Sequence, residues 1–142
     1  EKGRGGQFVR AAGRPPADTM TAYPFDDTDL YKVIAGASYS LQVKKNPELE
    51  KYLDTLIAII GAAQEPDGYL YTFRTMHAAK PHPWIGSRRW VNEEDLSHEL
   101  YNAGHMYEAA VAHYQATGSK TFFNIATKNA DLLVNTFGWD KE

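Results

Sequence analysis

A chain of 142 residues suits a single domain, and 43% hydrophobic with 23% charged residues is a globular composition rather than a disordered one. Fifteen basic against eighteen acidic residues leave a net charge of −3, too small and too mixed to argue for nucleic acid or an anionic membrane as partner. No apolar run approaches the roughly 20 residues of a membrane span, and the lack of cysteine rules out disulfides, zinc–thiolate sites and cysteine nucleophiles within these residues.

The opening Glu1-Lys2-Gly3-Arg4-Gly5-Gly6 has neither an initiator methionine nor the apolar core of a signal peptide, so it says little about compartment. Residues 1–27 are rich in Gly, Pro, Arg and Asp, with Gly13-Arg14-Pro15-Pro16 in the middle, and read as an irregular lead-in with one helical turn around Phe8 to Ala12.

The first long helix is expected from about Thr28. "DDTDLYKVIAGASYSLQV" sets Leu30, Val33, Ile34, Ala37 and Leu41 on one face at helical spacing. Asp27 or Thr28 can cap it, and Asp29 sits in the first turn, where the helix dipole favours a negative charge. Asn46-Pro47 interrupts, and Pro47 can open a second helix because its missing N–H is not needed there. "PELEKYLDTLIAIIGAAQ" turns Leu49, Leu53, Leu56, Ile57, Ile60 and Ala63 inward, so residues 28–64 form a helical hairpin.

Asp67-Gly68 signals a turn. Residues 69–92 show no sustained period, and a loop of that length in a compact domain is usually functional or disordered. Tyr69, Tyr71, Phe73, Trp84 and Trp90 argue against disorder. A third helix is expected to begin between Glu93 and Ser97, with Leu100, Ala103, Tyr107, Ala110, Val111 and Tyr114 as its apolar face and Gly118 as its stop. A fourth, "KTFFNIATKNADLLVNTFG", presents Phe122, Ile125, Ala126, Leu132 and Leu133, which makes residues 95–138 a second hairpin. "DLYK" at Asp29 and "ELYN" at Glu99 open the two hairpins alike, a short internal repeat with an offset of 70 residues.

Half of that offset is close to the period of about 34 residues of tetratricopeptide repeats, which would make the chain a stand-alone helical-repeat module that binds a protein. The long aromatic loop and the missing tryptophan-leucine-glycine signature weigh against it. The better expectation is all-α: two hairpins forming a segment of an (α/α) toroid, in which long loops at one end build a sugar-binding cleft.

"HELYNAGH", His98 to His105, carries the most pointed chemistry. A zinc-binding His-Glu-x-x-His needs a histidine four residues after the first, and Asn102 stands there, so a metalloprotease site is excluded. His98, Asn102 and His105 form a polar stripe that faces either water or a polar cavity. At the helix N-terminus, a neutral His98 could hydrogen-bond a hydroxyl-rich ligand. Asp26, Asp27 and Asp29 could supply a glycosidase carboxylate pair, but capping is the simpler role. Trp84, Trp90 and Tyr71 could stack on sugar rings or pack their own loop. Arg88-Arg89 reads as a solvated pair, and His113 as a partner of the helix C-terminal dipole.

Four ordered blocks, "FDDTDLYKVIAGASYSL", "NPELEKYLDTLI", "AAQEPDGYLYT" and "SHELYNAGHMYEAAVAHYQATG", make the chain resemble glycoside hydrolase family 127, the β-L-arabinofuranosidase family, from about "FVRAAG" to residue 138. The resemblance implies the first four helices of an (α/α)6 catalytic barrel and a substrate among L-arabinose-containing or related plant glycans. It also implies retaining hydrolysis by a cysteine nucleophile held on zinc by cysteines and a glutamate, with a second glutamate as acid/base. None of those residues matches a position here, so no catalytic residue, metal ligand or cofactor is expected in these residues, and zinc is expected in the longer protein. The chain alone is expected to be inactive and to pair with the remainder of the barrel or with another copy. The family's sugar-contacting histidine falls on His98. His105, Asp29 and Trp90 complete the expected sugar-binding set. Ala35 departs from the family, which carries a larger, often acidic, residue there.

Overall fold

A computed structural model describes residues 5–13 and 22–138. The Arg14-Pro15-Pro16 stretch lies outside them. The regular structure among the described residues is helical: α1 (Gly6–Ala11), α2 (Asp27–Val43), α3 (Pro47–Ala63), α4 (Thr72–Met76), a 3-10 turn at Pro83–Ile85, α5 (Glu99–Thr117) and α6 (Thr121–Phe137).

Local chemistry sets several of these boundaries. The Asn46 side chain accepts hydrogen bonds from the backbone N–H groups of Glu48 and Leu49, both at 3.1 Å, and Pro47 follows as the first helical residue. Gly118 ends α5 in the left-handed region at φ 75°, with its N–H on the Tyr114 carbonyl at 2.8 Å. The expected start of α5 at 93–97 is early by two to six residues. Glu93 to Leu96 form turns, and the helix opens at Glu99.

The main core joins Phe8, Leu30, Tyr31, Ile34 and Leu41 to Leu53, Ile57 and Ile60 of α3, Met106 of α5 and Phe122 of α6. Each such side chain, fully buried, contributes about 1.5–3 kcal/mol of transfer free energy. A smaller cluster of Tyr69, Tyr71, Phe73 and Ile85 gives the 69–92 segment its own anchor. That segment is therefore ordered, as its aromatic content implies.

The tightest helix pairing is between α2 and α5, the first helices of the two hairpins, rather than within the first hairpin. Three hydrogen bonds fix its sense. Lys32 Nζ donates to the Tyr101 hydroxyl at 3.1 Å, Gln42 Nε2 to the Ala112 carbonyl at 3.4 Å, and Lys45 Nζ to the Ala116 carbonyl at 2.8 Å. The partners are 69, 70 and 71 residues apart. A constant separation means that the helices run parallel and in register, so the 70-residue offset of the sequence repeat is also the spatial pairing. α5 meets its neighbours through small residues, burying Ala103, Ala109, Ala110, Ala112 and Ala116. The expected apolar face of α5 is thus partly wrong: Leu100, Val111 and Tyr114 are 40, 43 and 38% exposed, and Asn102, Met106 and His113 are buried instead. Bulky residues would hold α2 and α5 apart, so the large side chains lie on the flank.

The Asp67-Gly68 turn docks on α6. Gln64 Nε2 donates to the carbonyls of Gly68 at 3.0 Å and Ile125 at 2.9 Å, and Asn129 Nδ2 donates to the Gly68 carbonyl at 2.9 Å. Gly68 has φ 99°, and a Cβ there would lie 2.4 Å from the Lys128 carbonyl oxygen, so both conformation and space require glycine.

Candidate functional site

The N-terminal ends of α2 and α5 lie side by side, because the two helices are parallel, and the 64–98 segment folds over both. Two buried carboxylates organise this end.

Asp27, in the first turn of α2, is 2% exposed. Its Oδ1 accepts from Gln7 Nε2 at 2.9 Å and from the Thr72 hydroxyl at 2.5 Å, and its Oδ2 accepts from the Thr72 N–H at 2.9 Å. It therefore joins α1, α2 and α4 and does not cap its own helix, contrary to the simpler expectation. Burial pushes its pKa up to about 6, against the opposing pull of the Thr72 and Gln7 hydrogen bonds. Thr28 also turns away from a cap, donating through its hydroxyl to the Phe25 carbonyl at 2.8 Å. Asp26 accepts the Tyr23 N–H at 2.8 Å, and Asp29 lies half-buried in the first turn as expected.

Glu99, the first residue of α5, is 3% exposed. It accepts from the Tyr69 hydroxyl and the Trp90 N–H, both at 3.0 Å, and pairs with Arg74 at 3.2 Å. Burial raises its pKa, and Arg74, Trp90 and Tyr69 oppose the rise. Arg74 also donates to the carbonyls of Ile85 and Arg88, tying α4 to the loop beyond the 3-10 turn. Arg89 is not a solvated group as expected. It spans Glu65 at 2.6 Å and Asp67 at 2.5 Å, and its guanidinium lies 3.8 Å from the centre of the Tyr69 ring.

Between these anchors sits His98, at φ 59°, one of two non-glycine residues in the left-handed region among those described; the other is Trp90, at φ 62°. Such conformations cost of order 1–3 kcal/mol and need surroundings that impose them. Glu93 is one such constraint. Its carboxylate accepts the N–H groups of Glu99 at 2.7 Å and Leu100 at 2.9 Å, together with the Ser97 hydroxyl. It therefore caps α5 from five residues before the cap position, where His98 gives no side-chain cap. Glu99, the next residue, is the second, its side chain held by Tyr69, Arg74 and the Trp90 N–H. Nδ1 of His98 lies 2.7 Å from the Leu96 carbonyl, so it carries the proton and Nε2 is left as an acceptor in the neutral ring.

The polar stripe divides. The His98 ring meets the edges of Phe25 and Tyr101 at 5.7 Å each, and Tyr101 meets His105 at 4.8 Å. His98, Tyr101 and His105 thus form a partly exposed row, with Lys32 of α2 on the Tyr101 hydroxyl and Glu108 3.3 Å from His105 Nδ1. Asn102 instead is buried and donates to the Pro24 carbonyl at 2.8 Å, holding the lead-in against α5. The Trp90 ring packs on Tyr69, Phe137 and Arg89, and its backbone N–H reaches the site through Glu99. Tyr71 packs with Phe73 and donates to the Ser97 carbonyl. His113 is fully buried, with no partner on either ring nitrogen among the described residues, so it does not act at the helix C-terminus. The roles of Glu93, Arg74 and Tyr69 at this site were not legible in the sequence; the capping carboxylate lies outside the helix it caps, and no periodic signal marks such a group.

No group of three or more His, Asp or Glu side chains among the described residues could hold a metal ion, and the chain has no cysteine. The thiolate–zinc set implied by the resemblance does not fit these residues.

The sequence model described as the catalytic domain of GH127 β-L-arabinofuranosidases matches residues 3–141. A non-reducing end β-L-arabinofuranosidase of Bifidobacterium longum subsp. longum is 39% identical over 121 residues, which cover 85% of this chain and 18% of that protein. The structure of a GH127 β-arabinofuranosidase superposes with a TM-score of 0.86 at 54% identity, covering 93% of this chain and 21% of the other. That of a GH127 β-L-arabinofuranosidase from Geobacillus stearothermophilus T6 gives 0.85 at 39% identity, covering 99% and 21%. The chain spans about a fifth of the length of these relatives.

Proposed function

The chain belongs to the GH127 β-L-arabinofuranosidase catalytic-domain family, and from that membership we propose that it forms one wall of the sugar pocket of a β-L-arabinofuranosidase. Its helices are a segment of the family's (α/α)6 barrel. The observation that carries the reading is His98. It is the residue at which an unfavourable backbone conformation, two organising carboxylates and a partly exposed ring row coincide. Strain held in place by its surroundings is a mark of functional positions.

In this reading the Nε2 of His98 accepts a hydrogen bond from a hydroxyl of a terminal L-arabinofuranose. His105 continues the row through Tyr101, Trp90 acts only through its N–H on Glu99, and Asp29, in the first turn of α2, completes the proposed set. The substrate is an L-arabinose-containing plant glycan. These residues bind and orient the sugar. Bond cleavage belongs to a cysteine nucleophile and a glutamate acid/base elsewhere in the full-length protein, where zinc would hold the cysteine. Remote binding groups of this kind lower the barrier by positioning the sugar at the reacting centre.

The test is hydrolysis of an aryl β-L-arabinofuranoside. The full-length protein should turn it over, and His98→Ala should lower kcat/KM by at least about 100-fold, equivalent to about 2.7 kcal/mol. The 142-residue chain alone should show no turnover. Unchanged activity in His98→Ala would remove the histidine from the pocket.

A further inference from the structure

The His98 ring accepts a hydroxyl proton only while Nε2 is bare, and the ring makes no helix cap that would lock it. The residues before it supply the lock. The Asn92 carbonyl gathers three backbone N–H groups, from Asp95 at 3.1 Å, Leu96 at 3.2 Å and Ser97 at 3.1 Å. Asn92 is itself anchored, its Nδ2 donating to the Pro83 carbonyl of the 3-10 turn at 3.1 Å. Residues 92–97 therefore close into a tight hoop. Ser97 ends the hoop fully buried, with the Tyr71 hydroxyl on its carbonyl.

Glu93 joins the hoop to α5. Its Oε1 accepts the Ser97 hydroxyl and the Glu99 N–H, the latter at 2.7 Å, and its Oε2 accepts the Leu100 N–H at 2.9 Å. These donors lie on both sides of His98, and none belongs to it. One carboxylate thus pins Ser97 and Glu99, and His98 spans the step between them at φ 59° and ψ 22°. Its Nδ1 then lies 2.7 Å from the Leu96 carbonyl. A carbonyl can only accept, so the proton sits on Nδ1, and the hydrogen bond at one ring nitrogen sets the state of the other.

Capping alone does not call for this arrangement. A serine or aspartate at position 98 would cap α5 from the ordinary extended conformation, without a left-handed residue. Here the cap is moved to Glu93, and the side chain at position 98 is left for another partner.

We propose that Glu93 is a positioning residue for sugar binding: by holding Ser97 and Glu99, it fixes the His98 ring in the tautomer that accepts a sugar hydroxyl. This role rests on the β-L-arabinofuranosidase reading, which supplies the sugar contact of His98.

The test uses the full-length protein. Glu93→Ala should lower kcat/KM for an aryl β-L-arabinofuranoside about tenfold. Glu93→Gln, whose side-chain carbonyl still accepts, should recover part of the loss. In a His98→Ala background, Glu93→Ala should cost nothing further, since a residue that acts through the histidine then has nothing to position. Nitrogen NMR of isotope-labelled histidine, with His98 assigned by its loss in His98→Gln, should show the proton on Nδ1 in the wild type and a mixture of tautomers in Glu93→Ala. A full second penalty in the double variant, or an unchanged Nδ1–H signal in Glu93→Ala, would each overturn the proposal. If Glu93→Ala does not fold, Glu93→Gln takes its place in both measurements, with the same outcomes in smaller degree. If the wild type shows no turnover, or His98→Ala keeps full activity, the arabinofuranosidase reading fails, and the tautomer signal alone decides whether Glu93 positions the ring.

Discussion

Two buried ionisable groups give the fold opposite responses to pH. Asp27 has its pKa raised by burial to about 6, so the folded state holds its proton more tightly than the unfolded chain does. Between its ordinary value and about 6, folding takes up a proton, and stability from this group falls as pH rises, with a limiting slope of about 1.4 kcal/mol per pH unit. Urea unfolding of wild type and Asp27→Asn at pH 4, 5 and 6 should give a stability difference that changes in that direction, since the variant cannot ionise. A pH-independent difference would mean that Asp27 is charged throughout. His113 behaves in the other sense. Burial lowers its pKa, against the attraction of Asp54 and Glu50, so the folded state resists a proton that the unfolded chain accepts. Its contribution is present above the ordinary histidine range and is lost as pH falls through it. Both ring nitrogens also lack partners among the described residues, a condition that costs about 1–3 kcal/mol per buried group. His113→Leu should therefore leave stability unchanged or raise it by about 1 kcal/mol at pH 7, and by more at pH 5. A clear loss at both pH values in thermal unfolding would show that the ring holds a partner.

At the level of elements, the start of α5 is the instructive case. A helix usually finds its cap in the residue that precedes it. His98 occupies that place in a left-handed conformation without capping, and Glu93 caps the helix from the preceding turn. Removing a charged acceptor from two backbone donors costs about 2 kcal/mol. Glu93→Ala should lose that much stability. The amide hydrogens of Glu99 and Leu100 should exchange at least about tenfold faster in the variant than in the wild type, with α6 unaffected. Uniform acceleration along the chain would instead mean that Glu93 acts on global stability alone. The "DLYK" and "ELYN" repeat belongs to this scale too. It was legible because equivalent positions of α2 and α5 meet side by side at an offset of about 70, and equivalent environments select similar residues. The position of Glu93 was not legible, since its role follows from where a turn brings it.

For the molecule as a whole, the large apolar side chains that α5 and α6 leave exposed include Leu100, Val111, Tyr114, Phe123, Val134 and Phe137, the last two 67 and 56% open. Apolar flanks of this kind mark surfaces that another piece of protein covers. The 142-residue chain, purified alone at about 50 µM, should self-associate and bind a hydrophobic dye, and light scattering should report a multiple of its own mass. A stable monomer with no dye binding would mean that the flank repacks on itself.

Features that depend on local order along the chain were legible from the residues alone. The four long helices follow from the 3.6-residue spacing of apolar side chains, the end of α5 from Gly118, and the start of α3 from Asn46-Pro47. The family followed from four motif blocks in fixed order, and His98 stood out because the block that contains it has metalloprotease-like spacing without the second ligand. Tertiary structure alone decided which groups meet across gaps of tens of residues: Asp27 with Gln7 and Thr72, Glu99 with Tyr69, Arg74 and Trp90, and His77 with His82 in one recess. It also decided which face of α5 is buried. Close approach of parallel helices favours small residues over the bulky ones that a hydrophobic count weights most. Periodicity records how a helix presents its own residues, and says nothing about which neighbour each face will meet.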